Sequence, residues 1–245
     1  AWLDPGHPKI HVVHHDEVMP ADILPTFNSF AIVSHLHMLP GLSDRFVYME
    51  DDMLIPRPIA ISDFTTPSGK PLVFTRRKRT PLHSDLDPAT ASPWNLALAT
   101  ANAALDRSFG QKRHAYVIHG PRLIDREFFQ EMVDRFPDEF HATQTSRFRA
   151  NGNVPGEYLY PHFLLESGKG APATRSQSRR MEGYASLENF APWTALQLKM
   201  LEWRKPKTIT LNDSFDRAPN RRVVESVRNT LERWFPEPSP FERAG

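Results

Sequence analysis

The stretch Phe27-Asn-Ser-Phe-Ala-Ile-Val-Ser-His-Leu-His-Met-Leu-Pro40-Gly-Leu-Ser-Asp-Arg-Phe-Val-Tyr-Met-Glu50-Asp-Asp-Met-Leu-Ile-Pro56-Arg-Pro58 runs from a helix into a strand and ends on three acids. Ile32, Leu36 and Leu39 fall at helical spacing, and Pro40-Gly41 stops the helix. Arg45 to Met49 reads as a short buried strand that delivers Glu50, Asp51 and Asp52 to its carboxyl end. Three adjacent carboxylates repel one another unless a proton or a cation neutralises them. A hard divalent cation is their natural partner and a diphosphate the natural co-ligand. By itself an acidic pair after a strand reads equally well as a solvated turn or a helix cap.

Working outward, Ile10 to His14 reads as a strand and Pro71 to Thr75 as a second extended piece that leads into the basic run Arg76-Arg-Lys-Arg79. Residues 80 to 93, with three prolines, read as a surface loop. Ser92 caps a helix with Pro93 in its first turn, which Gly110 ends. Pro121 is expected to open a helix whose Ile124, Phe128 and Met132 form one apolar ridge, placing His119 just before a helix N-terminus. Residues 167 to 183 lack apolar periodicity and read as a flexible loop. Trp193, Leu196, Met200 and Trp203 form a helical stripe before a strand at Thr208 to Leu211, and Val223, Val227, Leu231 and Trp234 line one face of a last helix. This alternation of strand and helix predicts an α/β fold, a Rossmann-like, nucleotide-sugar-transferase-type mixed sheet flanked by helices, with residues 1 to 245 in one domain.

Thirty basic residues against 29 acidic ones leave a formal charge of +1, so no global field favours nucleic acid and any anion binding must be local. The basic run 76 to 79 lacks the aromatic interleaving of a nucleic-acid surface, although it offers an anionic acceptor or diphosphate a contact. Without cysteine there is neither a disulfide framework nor thiolate chemistry. No apolar run approaches the roughly 18 to 20 residues of a membrane span, so a cytoplasmic protein is expected, peripheral to the inner face of the membrane if the arginines of the last helix meet anionic lipid. The chain opens on Ala1 and reads as starting inside a domain. The sequence fixes no oligomeric state.

Asn28-Ser-Phe-Ala-Ile with His35-Leu-His, Pro40-Gly-Leu-Ser, Phe46-Val-Tyr and Asp51-Asp resembles the second conserved region of the Stealth family of sugar-phosphate transferases. The likeness continues in order. His119-Gly-Pro-Arg-Leu-Ile-Asp-Arg126 through Arg135-Phe-Pro-Asp-Glu-Phe140 to Arg147-Phe-Arg149 is similar to the third region, and Thr210-Leu-Asn-Asp-Ser214 to the fourth. The resemblance implies transfer of a hexose-1-phosphate from a nucleoside-diphosphate sugar, UDP-linked in the favoured reading, to a hydroxyl of a saccharide acceptor, forming a phosphodiester in capsule or exopolysaccharide synthesis. It also implies a first conserved region upstream of Ala1. Two rival readings are a metal-dependent glycosyltransferase that releases nucleoside diphosphate and a noncatalytic sugar- or nucleotide-binding fragment.

By the same resemblance Asp51 and Asp52 hold Mg²⁺ or Mn²⁺ and one of them accepts the proton of the attacking hydroxyl. Glu50 stands where family members commonly carry Asn. His119 exchanges a proton at a phosphate oxygen, and Arg149 offers its planar fork to phosphate, with Arg147 able to do the same. Asn212 and Asp213 are further hard ligands at the end of their strand. Asn28 or Ser29 is expected to approach the donor. His35 and His37, two residues apart, point to different helix faces and do not share a metal.

Overall fold

The computed structural model describes residues 3–215 and 218–243. It orders as α1 (Ser29–Val33), β1 (Arg45–Tyr48), β2 (Met53–Leu54), β3 (Leu72–Val73), β4 (Thr75–Arg79), α2 (Pro93–Phe109), β5 (Ala115–Val117) and β6 (Arg122–Asp125). There follow α3 (Arg126–Arg135), α4 (Pro137–Thr145), α5 (Gly156–Glu166), β7 (Ala171–Pro172), α6 (Arg175–Met181), β8 (Glu182–Leu187), α7 (Ala191–Arg204), β9 (Thr208–Asp213) and α8 (Arg221–Trp234).

The fold is mixed α/β. Among the described residues the strands fall into four small sheets: β1-β6, β2-β9-β8, β3-β7 and β4-β5. β8 and β9 pair in parallel across all six residues of each, and α7 connects them, so residues 182 to 213 form one βαβ unit. β2 joins β9 antiparallel through Met53 and Thr210, which sets the acidic turn beside the carboxyl half of β9.

The main core gathers α2, α3, α4 and α5 around Leu98, Leu105, Phe129, Met132, Phe140, Tyr158 and Leu159. α5 is buried from Gly156 through Leu164, which explains why it shows no polar face. A helix covered on every side cannot leave its ionisable groups in water, and Glu157 and His162 are both enclosed.

α2 has the bounds its sequence signals set: Ser92 accepts from Asn95 N–H at 3.2 Å, Pro93 occupies the first turn, and Gly110 ends the helix with φ 91°. Other expectations are corrected. Residues Ile10 to His14 form no strand and run half-exposed or exposed, with no partner strand to receive their amides. The helix read over Ile32 to Leu39 divides into α1 and a 3₁₀ turn at Leu36–Met38. Its carbonyl at Ala31 is taken by Ser34 Oγ at 2.7 Å and approached by His35 Nδ1 at 2.8 Å, a side-chain competition that interrupts the helical ladder.

Pro121 opens no helix. Arg122 to Asp125 pairs antiparallel with Tyr48 to Arg45 as β6, and α3 begins only after Asp125, whose carboxylate accepts from Phe128 N–H at 3.3 Å. The segment 167 to 183, read as a flexible loop, instead contains β7, α6 and the start of β8. Thr174 and Gln177 form the reciprocal capping box that starts α6. The basic run 76 to 79 lies within strand β4. On α7, Trp193, Leu196, Met200 and Trp203 face outward, and Thr194, Leu198 and Leu201 do the anchoring. α8 turns its apolar face inward: Val223 is buried and Val227 and Trp234 pack against Ala185, Leu187, Leu201 and Ile209.

Candidate active site

Because Tyr48 ends β1 and Met53 begins β2, the acidic triplet forms the turn between two sheets, closed by Met53 N–H donating to Glu50 O at 3.2 Å. Two residues apart on this turn, Glu50 and Asp52 face one another's side of a cleft while Asp51 is exposed at its edge. The opposite wall is supplied by the turn between β5 and β6, which carries His119.

His119 is pinned by its own backbone. Its N–H donates to Glu182 Oε1 at 3.0 Å, and its carbonyl accepts from the Thr210 hydroxyl. Glu182 is itself paired with Arg76, whose guanidinium lies 4.8 Å from the Tyr184 ring. The His119 imidazole then reaches Asp52: Nε2 lies 2.9 Å from Oδ2 and 3.7 Å from Glu50 Oε2. With no helix starting at Pro121, a helix dipole plays no part at His119. Strand partners hold it instead.

Glu50, Asp52 and His119 each present one ligating atom within 4.8 Å of the others. Asp52 Oδ1 is buried without a hydrogen-bond partner, an arrangement that a cation resolves. The residues therefore fit a divalent metal. The acid that joins Asp52 is Glu50 rather than Asp51, because a spacing of two across the turn brings those two side chains together. Asn212 and Asp213 line the same cleft at the end of β9, and Leu211 N–H donates to Asp52 O at 3.1 Å one residue earlier.

The cleft has a volume of about 890 Å³ and extends from these acids to Ser29 and Arg149. Arg149 Nη2 donates to Ser29 Oγ at 2.7 Å while its guanidinium stacks 4.4 Å from the centre of Phe30. Arg147 does not line the cleft, and its guanidinium sits 5.5 Å from the exposed Phe27 ring. Asn28 is also withdrawn from the cleft. Fully buried, it accepts from Phe30 N–H at 3.1 Å and donates to Thr143 O, Ser146 O and Asn153 Oδ1. Its polar atoms are spent on the fold, so Ser29 is the member of that pair that lines the cleft. His35 and His37 are both interior, the latter stacked on Phe129 at 5.3 Å with burial lowering its pKa.

Arg76, from the basic run that offers an anion a contact, does line the cleft, and Trp94, Arg122 and Glu157 line it without having been assigned there from sequence. Burial pushes the Glu157 carboxyl up to about 7, although the charges of Arg122 and Arg149 act in the opposite direction. Tyr48, beside it, is raised by burial and then by the Glu50 and Glu157 carboxylates. A signal for Glu157 was present: Val154 to Leu165 is apolar throughout except for Glu157 and His162.

Sequence comparison places this geometry. The family models for Stealth protein conserved regions 2, 3 and 4 match residues 1–73, 118–166 and 199–245. The chain belongs to the Stealth family. Among its relatives, the exopolysaccharide phosphotransferase CpsY of Mycobacterium tuberculosis is 33% identical over 245 residues, covering 99% of this chain and 44% of that protein. The capsular polysaccharide phosphotransferase SacB of Neisseria meningitidis serogroup A is 29% identical over 245 residues, again with 99% and 44% covered. The chain thus spans under half the length of these curated relatives. The acidic turn, the His119 turn and the Asn212-Asp213 strand end fall in the second, third and fourth regions respectively, and the fold assembles them around one cleft.

Proposed function

We propose that this cleft transfers a hexose-1-phosphate from a nucleoside-diphosphate sugar, UDP-linked, to a hydroxyl of a saccharide acceptor in capsule or exopolysaccharide synthesis. The acceptor oxygen forms a bond to the sugar-bearing phosphorus, the bridging P–O bond breaks, and nucleoside monophosphate leaves. The observation that carries the reading is the convergence of Glu50, Asp52, His119 and Arg149 on one cleft in a chain similar to two named phosphotransferases.

Glu50 and Asp52 would hold Mg²⁺ or Mn²⁺, with Asn212, Asp213 and the exposed Asp51 as nearby oxygen donors, and the cation would supply charge neutralisation for the diphosphate. His119 takes the proton of the acceptor hydroxyl. When its Nε2–H donates to Asp52, the tautomer leaves Nδ1 as the basic atom, the logic of any carboxylate-oriented imidazole. Arg149 meets phosphoryl oxygens, its fork held by Ser29 and by the Phe30 face. The βαβ unit of β8, α7 and β9 supports a Rossmann-like, nucleotide-sugar-transferase ancestry, since ligands of such sheets collect outside the carboxyl ends of the parallel strands.

A cytoplasmic reaction is part of the same proposal. No helix of the described residues is long and apolar enough to cross a membrane, and any membrane contact would fall to surface groups such as the arginines of α8. Product analysis tests the reading: incubation with UDP-sugar, Mg²⁺ and an oligosaccharide should yield UMP and a phosphodiester stable to phosphomonoesterase. Release of UDP with a glycosidic product would make the enzyme a glycosyltransferase.

A further inference from the structure

Where β6 and α5 line the cleft, two ionisable side chains are enclosed without satisfying one another. Glu157 is 9% exposed, and its Oε2 has no hydrogen-bond partner. Arg122 uses only Nη2, which donates to Ile118 O at 3.1 Å, while Nε and Nη1 are buried and unpartnered. Its closest carboxylate is Glu50, at 3.6 Å from Nη1, beyond hydrogen-bonding distance. No ion pair joins Glu157 to Arg122 or Arg149 among the described residues, although the charges of both act on it. Buried polar atoms in this state are rare and costly, and since both side chains also line the cleft, a small rotation toward a group that enters it is expected to complete them.

The pattern of charges selects that group. A phosphate would satisfy Arg122 but meet Glu157 and Glu50, and a cation would satisfy Glu157 but meet Arg122 and Arg149. Hydroxyl groups answer both, since each donates one hydrogen bond and accepts others. Tyr48, paired with Arg122 across the strands, and Trp94 elsewhere in the cleft add aromatic surface suited to the apolar face of a pyranose ring. We propose that Glu157 and Arg122 form a sugar-hydroxyl subsite, Glu157 accepting from and Arg122 donating to neighbouring hydroxyls of one hexose ring. This rests on the phosphotransferase reading for the position of the phosphate, and it assigns this stretch of the cleft to the glycosyl part of a substrate. The ring belongs either to the donor hexose or to the acceptor saccharide, and the chemistry is common to both.

Calorimetric titration of the full chain in Mg²⁺ with UDP and a panel of UDP-hexoses and UDP-N-acetylhexosamines separates the sources, together with saturation-transfer NMR on an acceptor oligosaccharide. Losing a hydrogen bond to a charged group should weaken the sugar-bearing ligand on the order of tenfold or more. Glu157→Leu is expected to do so while leaving UDP affinity unchanged. A loss confined to the UDP-sugar assigns the ring to the donor, and one confined to the oligosaccharide assigns it to the acceptor. Glu157→Gln, which removes a buried charge, should melt no lower than the parent chain, whereas a purely structural carboxylate would lower the melting temperature. Unchanged affinity for every saccharide in a folded variant overturns the subsite and leaves ordered water as its occupant. An equal loss for UDP, or a parent chain that binds no saccharide of either kind, also overturns it. The two readings fail separately: UDP release in product analysis removes the phosphotransferase reading without touching these affinities, and UMP release with unaltered affinities removes only the subsite.

Discussion

At the scale of single residues, adjacent positions divide the work between ligand and fold. Asn28 and Ser29 are neighbours, yet the first is fully buried and the second faces Arg149. Asn28→Ala removes the cap of α1 and leaves Ser146 O without its donor, while Thr143 O keeps the Ser146 N–H, a combined cost of roughly 2–4 kcal/mol that urea denaturation would measure. Arg149 is the converse case. Exposed on an irregular segment, it holds no core together, so Arg149→Ala should change stability by no more than about 0.5 kcal/mol. The same change should lower turnover by roughly 10²-fold, the scale for losing a preorganised charge-stabilising donor. Turnover within a factor of about two of the parent would remove Arg149 from the chemistry. Sequence motifs singled out Asp52, His119 and Arg149 because the local patterns around them are distinctive. They could not distinguish Asp51 from Glu50 as the partner of Asp52, since that depends on how a turn orients alternate side chains. Glu157 stands out in sequence only as an acid in an apolar helix, since its proposed role comes from a wall formed by β1, β6 and α5 together.

At the scale of elements, what was legible was what local chemistry decides. Ser92, Pro93 and Gly110 delimit α2 because a cap, a fixed φ and a left-handed terminus act within a few residues. Residues 122 to 125 depart from the expected helix, whose remainder forms as Arg126–Arg135, because an apolar run after proline suits a helix until a distant strand offers pairing. Tyr48 to Arg45 does so, and Asp125 then becomes the true cap of α3. The substitution Asp125→Ala should therefore cost about 1 kcal/mol, the usual worth of an N-cap. Asp125→Asn should restore most of it, since Asn caps as well as Asp and the lost ion pair to the half-exposed Arg45 contributes little. Equal destabilisation by both changes in thermal melts would transfer the role from the cap to the ion pair. Residues 167 to 183 were read as loop for a similar reason. The parallel pairing of β3 with β7 joins positions about a hundred residues apart, which no window of sequence displays.

At the scale of the whole molecule, enclosed ionisable groups make stability depend on pH with opposing slopes. Burial holds the Glu157 carboxyl up at about 7, so its protonated form belongs to the folded state. Its contribution is fully present below about pH 4.5 and is lost as pH rises through about 7. His162, buried and donating from Nε2 to Ala115 O at 2.9 Å, is depressed to about 3, first by burial and then by the nearby His114. Because the unfolded chain takes up that proton first, its contribution is present above about pH 6.5 and disappears as pH falls towards 3. Melting curves from pH 3 to 8 should show Glu157→Gln flattening the neutral limb and His162→Gln the acid limb, and parallel curves for parent and variants would contradict both assignments. A cation acts on the same global equilibrium. Glu50 and Asp52 come from one turn and Asn212 and Asp213 from a strand more than 150 residues later, so the proposed ligand set would be intact only in the folded chain. Mn²⁺ or Mg²⁺ at a hundred times its dissociation constant should thus stabilise the fold by about 2.7 kcal/mol. For a domain of this size that raises the melting temperature by roughly 5–10 °C. EDTA should reverse the gain and Asp52→Asn should abolish it, whereas Asp51→Asn, altering an acid at the edge of the cleft, should retain most of it. A melting temperature indifferent to both cations in the parent chain would remove the metal from the site, and a gain that survives Asp52→Asn would place the cation elsewhere.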